Sequence, residues 1–171
     1  MGRPTITAII EERTNNGDFH SMQDFITRMA GVINKRTVEH LILAGAFDTF
    51  GNTRRGMMNV YERMIDSAVK QNKDAISGQM SLFDFVSEED KQSLEMKVPD
   101  IQEFEKEDLL EREKEVLGVY VTGHPLDEYT GMWEKHISAR STDFLIDEET
   151  GQAKLMNGSK QTIGGLISNI K

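Results

Sequence analysis

Short apolar segments at helical spacing, each preceded by a capping residue, constrain the fold of this chain more than any other feature. The predicted helices cover about 22–29 after Ser21, about 35–44 after Asn34, and about 54–73 after Thr53. At each cap a side-chain oxygen can accept a backbone N–H from the first helical turn. Apolar residues recur every three or four positions in all three segments, so each helix is expected to bury one face. The chain is therefore predicted to be mostly α-helical.

The residues predicted to be buried in these helices form one apolar set. They are Met22, Phe25, Ile26 and Met29 in the first, Val38, Leu41 and Ile42 in the second, and Met57, Met58, Val60, Tyr61, Met64, Ile65, Ala68 and Val69 in the third. The Met-rich stripe of the third helix is predicted to be core rather than a binding groove, because Met fills irregular gaps. A further helix at about 5–13 has Pro4 in its first turn and Ile6, Ile9 and Ile10 on one face.

Charge and composition exclude several classes of function. Residues 1–78 carry 10 Lys and Arg against 9 Asp and Glu, whereas residues 79–171 carry 10 against 20. An acidic chain is a poor bulk binder of nucleic acid, so any DNA contact is expected from the first half. The chain has no Cys, and its four His share no ligand spacing, which argues against a thiolate or zinc site. No apolar run approaches the length of a membrane span, and we expect a cytoplasmic protein.

The segment Asn34-Lys35-Arg36 at the start of the second helix is a candidate phosphate site. Free backbone N–H groups at a helix N-terminus point toward an anion, and the adjacent Lys and Arg add positive charge. The alternative is a helical hairpin whose Lys and Arg side chains are merely solvated. The residues of this turn alone leave both interpretations open.

A short apolar cluster, Gln79-Met80-Ser81-Leu82-Phe83, lies in a segment with few secondary-structure signals. Such a cluster either folds back onto its own domain or docks into a pocket of another protein. The leading Gln favours docking, because its side-chain amide both donates and accepts hydrogen bonds close to an aliphatic–aromatic pair.

The acidic region beyond residue 100 is predicted to be a helix at about 101–117, capped by Asp100. Its predicted buried residues are Ile101, Phe104, Leu109, Val116 and Leu117, and its predicted solvent face consists of Glu103, Glu105, Glu107, Asp108, Glu111, Glu113 and Glu115. A solvated acidic face is preferred over a catalytic carboxylate pair, because no apolar pocket or partner His accompanies these acids. After Ser138 the pattern changes to short strands with turns, ending in a strand within 161–171.

Several motifs occur in an order that resembles one protein family. They are Gly2 with Ala8-Ile9-Ile10-Glu11-x-Arg13; the run Asn34-Lys35-Arg36-x-x-Glu39-x-Leu41-Ile42-x-Ala44-Gly45-Ala46-Phe47-Asp48; the peptide Gly78-Gln79-Met80-Ser81-Leu82-Phe83; and Glu113-Lys114-Glu115-Val116-Leu117-Gly118 with Gly123-His124-Pro125-Leu126. Over about residues 2–130 this order resembles the helix-hairpin-helix region of the bacterial DNA polymerase III alpha subunits, the C-family replicative polymerases. The pentapeptide is similar to the Gln-x-x-Leu-Phe peptide with which bacterial polymerases and repair proteins hold the sliding clamp.

The resemblance implies a fragment that binds the backbone of double-stranded DNA without sequence preference and tethers a polymerase to the sliding clamp (the beta subunit) for processive DNA replication. Other replicase subunits are possible partners. The implied DNA-binding residues are Asn34, Lys35 and Arg36, with Arg54 and Arg55 as secondary candidates, and the implied clamp-binding residues are Gln79, Met80, Ser81, Leu82 and Phe83. No catalytic residue, metal or cofactor is expected here, because in the family the metal-dependent nucleotidyltransferase chemistry of the DNA-directed DNA polymerase lies in the upstream palm domain.

The resemblance also implies how the chain is organised. The expected parts are a helix-hairpin-helix domain at 1–73, a linker carrying the clamp peptide at 74–100, a helical continuation at 101–137, and a strand-rich tail at 138–171 leading into an OB-fold domain. The chain departs from the family pattern in two places: the first hairpin lacks its leading helix because the chain starts there, and the second lacks Gly-x-Gly. A competing interpretation is a stand-alone helical interaction scaffold without a nucleic-acid role, against which the order of the motifs argues.

Overall fold

The computed structural model describes residues 2–76, 96–148 and 150–167, apart from the side chains of residues 74–76 and 134. The chain divides into two compact units, Met1–Val121 and Thr122–Lys171. The first unit contains α1 (Arg3–Asn16), α2 (Met22–Arg28), α3 (Lys35–Leu43), a 3-10 turn (Asp48–Phe50), α4 (Arg54–Ile76) and α5 (Lys106–Leu117). The second contains a 3-10 turn (Asp127–Tyr129), α6 (Thr130–His136) and another 3-10 turn (Ser141–Phe144). The prediction of a mostly α-helical chain is confirmed.

Local capping residues begin the central helices of the first unit where the sequence predicts them. The cap bonds run from the Asp24 N–H to Ser21 Oγ (3.0 Å), from the Thr37 N–H to Asn34 Oδ1 (2.9 Å), and from the Gly56 N–H to Thr53 Oγ1 (3.0 Å). Each bond satisfies one backbone donor that has no partner within its helix. These three starts are therefore determined by residues within four positions of one another.

The core of the first unit lies where α2, α3 and α4 pack together. Its buried residues are Met22, Phe25, Ile26, Met29, Ile33, Val38, Ile42, Phe47, Met57, Val60, Tyr61, Met64, Ile65 and Ala68. Phe25 contacts both Phe19 and Phe47, with ring centroids 5.0 and 5.1 Å apart. The Met-rich stripe of α4 is thus part of the core, as predicted.

The burial predicted for Leu41 is wrong, and α1 contributes little to the core despite its apolar face. In α3, Ile42 is completely buried, whereas Leu41 is only partly buried at the edge of the core. In α1 no residue is buried: Ile6 and Ile10 are 40% and 49% exposed, and only Ala8 and Ile9 pack against the core. The described part of α1 therefore lies on the surface of the α2–α4 core.

We expect Ile42→Ala to lower the free energy of unfolding by about 2–5 kcal/mol, because the deleted atoms leave a cavity in a fully packed site. Leu41→Ala, one residue away and partly exposed, removes less buried surface and should cost less than half as much. Urea denaturation of the two variants measures the difference. Equal losses would contradict the helical phase described here.

The helix predicted at 101–117 begins later than expected. Residues 96–105 have no regular secondary structure, and α5 starts at Lys106, so Asp100 does not cap it. Tertiary contacts hold this segment against α4: the Thr53 hydroxyl donates to the Ile101 carbonyl at 3.1 Å, and Met96 and Val98 pack against the core. These contacts outweigh a weak helical propensity in 101–105.

The strands predicted in the tail are reduced to a single antiparallel bridge in the described part of the second unit, between Ile146 and Ala153. The turn between them is as expected, because the Asp147 carboxylate accepts the Thr150 N–H at 2.8 Å. Residues 161–167 have no regular structure, and Leu166 and Ile167 are exposed. A strand needs a partner for its backbone groups, and alternating apolar residues do not supply one.

Candidate nucleic-acid interface

The first turn of α3 carries the residues predicted to bind phosphate, and its geometry gives them different roles. Asn34 is the N-cap: its Oδ1 accepts from both the backbone N–H of Thr37, at 2.9 Å, and the Thr37 hydroxyl, at 3.1 Å. This oxygen shapes the helix start and, as an acceptor, cannot bind a phosphate oxygen. The backbone N–H groups of Lys35 and Arg36 belong to the same first turn, where an α-helix leaves its donors without intrahelical partners.

The starts of α1 and α3 line one recess of about 270 Å³. Its lining residues are Gly2 and Thr5 from α1, and Asn34, Arg36, Thr37 and His40 from α3. Each helix start carries roughly half a positive charge, so two of them at one recess favour an anion. Arg36 adds a full positive charge at the recess. This charge is available to an anion, because Arg36 is exposed and forms no ion pair with the residues that the structure describes.

Lys35 faces away from this recess and toward α4. Its ammonium group lies 3.2 Å from Glu62 Oε2 and 3.0 Å from Asp66 Oδ2. The hydrogen bonds that it donates to Asp66 and Glu62 raise the pKa of Lys35 above its usual value. The charge of Lys35 is therefore matched by two carboxylates of its own chain, unlike that of Arg36.

Arg54, predicted as a secondary DNA contact, is a structural residue, and this prediction is wrong. Its side chain is 3% exposed, and its guanidinium donates to both carboxylate oxygens of Asp48, at 2.9 and 2.6 Å, and to the Leu43 carbonyl at 3.0 Å. It also lies 3.4 Å from Glu113 Oε1. The hydrogen bonds to Asp48, with a smaller contribution from Glu113, raise the pKa of Arg54. Such a side chain cannot reach a DNA backbone outside the fold.

Glu113, predicted to face solvent, is completely buried beside Arg54. Its Oε2 accepts the Val121 N–H at 2.7 Å, so one carboxylate joins α4, α5 and the last residue of the first unit. Gly45 completes the arrangement: its φ of +77° is unfavourable for other residues, and a methyl group there would overlap the Arg54 guanidinium. The motif around Gly45 and Asp48 therefore surrounds a buried arginine.

Arg55 is exposed, but the helix start beside it is already occupied by a carboxylate. Glu103 accepts the backbone N–H of Arg54 at 2.6 Å and that of Arg55 at 3.0 Å. These donors are therefore satisfied within the chain and are not free for phosphate. Sequence reasoning missed Glu103 and Glu113 because their partners lie 48 to 59 positions away.

Comparison with known proteins identifies relatives of this chain. A family model described as a helix-hairpin-helix motif matches residues 1–57, which include the starts of both α1 and α3. The DNA polymerase III subunit alpha of Vibrio cholerae is 36% identical over 141 residues, which cover 82% of this chain. The chain belongs to the DNA polymerase III alpha subunit family.

Other members of the DNA polymerase III alpha subunit family are similarly related to this chain. The subunit of Chlamydia pneumoniae is 34% identical over 88% of the chain, and that of Escherichia coli K12 is 33% identical over 89%. These alignments span only 12–13% of the length of the three alpha subunits. The chain therefore corresponds to one segment of much longer proteins.

Three further expectations from the sequence concern a clamp peptide, a metal site and a membrane span. The predicted clamp peptide, Gln79 to Phe83, lies outside the described residues. Within the described ranges, no group of three or more His, Cys, Asp or Glu is placed to hold a metal ion. In the same ranges, no helix is both long and apolar enough to cross a membrane.

Proposed function

We propose that this chain is a non-catalytic segment of a replicative DNA polymerase that grips the backbone of duplex DNA and tethers the enzyme to its sliding clamp. The observation that carries the DNA-binding part is the recess shared by the starts of α1 and α3, with Arg36 at its edge. Nucleotidyl transfer is assigned to parts of the polymerase outside this chain.

The charge distribution supports a weak and sequence-independent contact. Backbone N–H groups and a guanidinium recognise phosphate oxygens, which are the same at every base pair. Arg36 is the cation that lines the recess, while Lys35 is paired with carboxylates and Arg54 is buried. Few phosphates are therefore neutralised, and the logarithm of the binding constant should fall with salt by a slope that corresponds to about 2–4 phosphates.

The clamp-binding part of the proposal rests on the pentapeptide and on the positions of Ile76 and Val98, which lie on either side of it in the sequence. Helix α4 ends at Ile76. Val98 and Pro99 pack against Gly56 in the first turn of α4: a Cβ added to Gly56 would lie 3.1 Å from Val98 and 2.6 Å from the Pro99 carbonyl oxygen. The path from Gly56 to Ile76 along the helix is about 30 Å. Residues 77–97 could span roughly 70 Å, so the connection has length to spare for reaching a partner.

We expect Arg36→Ala to weaken binding of the full chain to a short DNA duplex about tenfold at low salt, because it removes one charge-assisted phosphate contact. The salt slope should decrease by about 1. Fluorescence anisotropy with a labelled duplex over a series of salt concentrations measures both.

Arg63→Ala is the matched control, because Arg63 is an exposed arginine on α4 outside the recess. It makes the same change in net charge and should leave affinity nearly unchanged. If both variants bind DNA equally well, the recess is not the DNA contact. If the parent chain itself does not bind DNA at low salt, the scaffold interpretation is preferred.

A further inference from the structure

Lys35 and two acidic residues of α4 form a charged cluster that the proposed function does not use. Lys35 begins α3, next to Arg36, and its ammonium group is held between Glu62 and Asp66, which lie one turn apart on α4. All three side chains are substantially exposed, at 43%, 58% and 66%. The Tyr61 hydroxyl also donates to Glu62 Oε1 at 3.3 Å.

Folding stability accounts for little of this cluster, because its side chains are largely exposed. Ion pairs between exposed side chains contribute little to folding, because water screens them and because two long side chains must be ordered. The cluster carries two negative charges and one positive charge, a local net charge of −1. A phosphate that approaches Lys35 therefore meets repulsion where the sequence alone suggests attraction.

We propose that Glu62 and Asp66 withhold Lys35 from DNA and thereby limit the affinity of the recess. In this arrangement the two carboxylates compete with phosphate for one ammonium group, so the chain holds DNA through Arg36 and the helix starts alone. A tether that must move along DNA benefits from such a limit, because each neutralised phosphate slows dissociation. The inference rests on the proposed DNA-binding function and adds to it the residues that set its strength.

The test is the double variant Glu62→Gln with Asp66→Asn in the full chain, titrated with the same DNA duplex. Both substitutions keep the shape of the side chains, and the amide oxygen introduced by Glu62→Gln can still accept from the Tyr61 hydroxyl. The local charge changes from −1 to +1. We expect binding about tenfold tighter at low salt and a salt slope steeper by about 0.9, corresponding to one more phosphate.

A double-mutant cycle with Lys35→Ala identifies the source of the gain. In the parent chain Lys35→Ala removes no phosphate contact, so it should leave the salt slope unchanged and weaken binding only through the added repulsion of the two carboxylates. In the Glu62→Gln, Asp66→Asn background it should remove the gain. A gain that survives Lys35→Ala would overturn the proposal, since it would come from weaker general repulsion.

The matched control is Glu107→Gln with Glu111→Gln, which neutralises two exposed carboxylates at the same spacing on α5. An equal gain in this control also overturns the proposal. If the parent binds DNA in an Arg36-dependent way but the Glu62, Asp66 variant is no tighter, this inference fails and the proposed function stands. If neither binds DNA, both fail.

Discussion

Arg54→Ala is expected to lower the free energy of unfolding by about 3–5 kcal/mol, because it removes a buried cation that lies 3.4 Å from the buried carboxylate of Glu113. Glu113 has no exposure to water, so its charge cannot be solvated when the guanidinium is removed. The Leu43 carbonyl and the Asp48 carboxylate lose hydrogen-bond donors in the same step. Urea denaturation followed by circular dichroism measures the loss.

Arg55→Ala is the natural control, since it removes the same charge from the next, exposed position of the same helix. It should change stability by no more than about 0.5 kcal/mol, as is usual for surface substitutions. Adding Glu113→Gln to Arg54→Ala should recover part of the lost stability, because it removes the buried negative charge that lay beside the guanidinium. Equal stability of the Arg54 and Arg55 variants would show that the buried network contributes nothing.

The features of this fold that could be predicted from the sequence are local ones. Ser21 caps α2 and Asn34 caps α3 through backbone groups three residues away, so a short stretch of sequence contains both partners. The apolar periodicity of α4 likewise lies within one helix. Local patterns of this kind survive in the folded state because tertiary packing agrees with them.

The buried arginine network could not be predicted, because its members are far apart in the sequence. Glu103 and Glu113 lie 49 and 59 positions from Arg54. One signal was present for Glu113: it follows the buried Leu110 by three positions and therefore shares its helical face. An acidic residue on the apolar side of a helix indicates a buried partner rather than solvent.

The sequence predicts which residues begin α3, but the different roles of Lys35 and Arg36 depend on tertiary packing. Lys35 and Arg36 are both basic, so the sequence alone gives them the same role, but successive residues of a helix point about 100° apart. Packing of α3 on α4 directs Lys35 to Glu62 and Asp66 and leaves Arg36 at the recess. The contribution of α1 to the same recess depends on the packing of the first unit, which no local pattern encodes.

Leu82→Ala with Phe83→Ala is expected to reduce binding to the sliding clamp by at least about a hundredfold, because a few apolar anchors carry most of the energy of a peptide contact. The parent affinity should be roughly micromolar, since one short segment must become ordered on binding. Calorimetric titration of the isolated clamp with each chain measures both values.

The same double variant should unfold at nearly the same temperature as the parent, because residues that enter a partner's pocket do not also close the core of their own domain. Phe85→Ala with Val86→Ala is the matched control: it removes an aromatic and an aliphatic side chain just beyond the pentapeptide and should bind the clamp as the parent does. A Leu82, Phe83 variant that melts many degrees lower yet still binds the clamp would place these side chains in the core of this chain. The assignment of clamp binding to this pentapeptide would then be overturned, while the DNA contact at Arg36 would be unaffected.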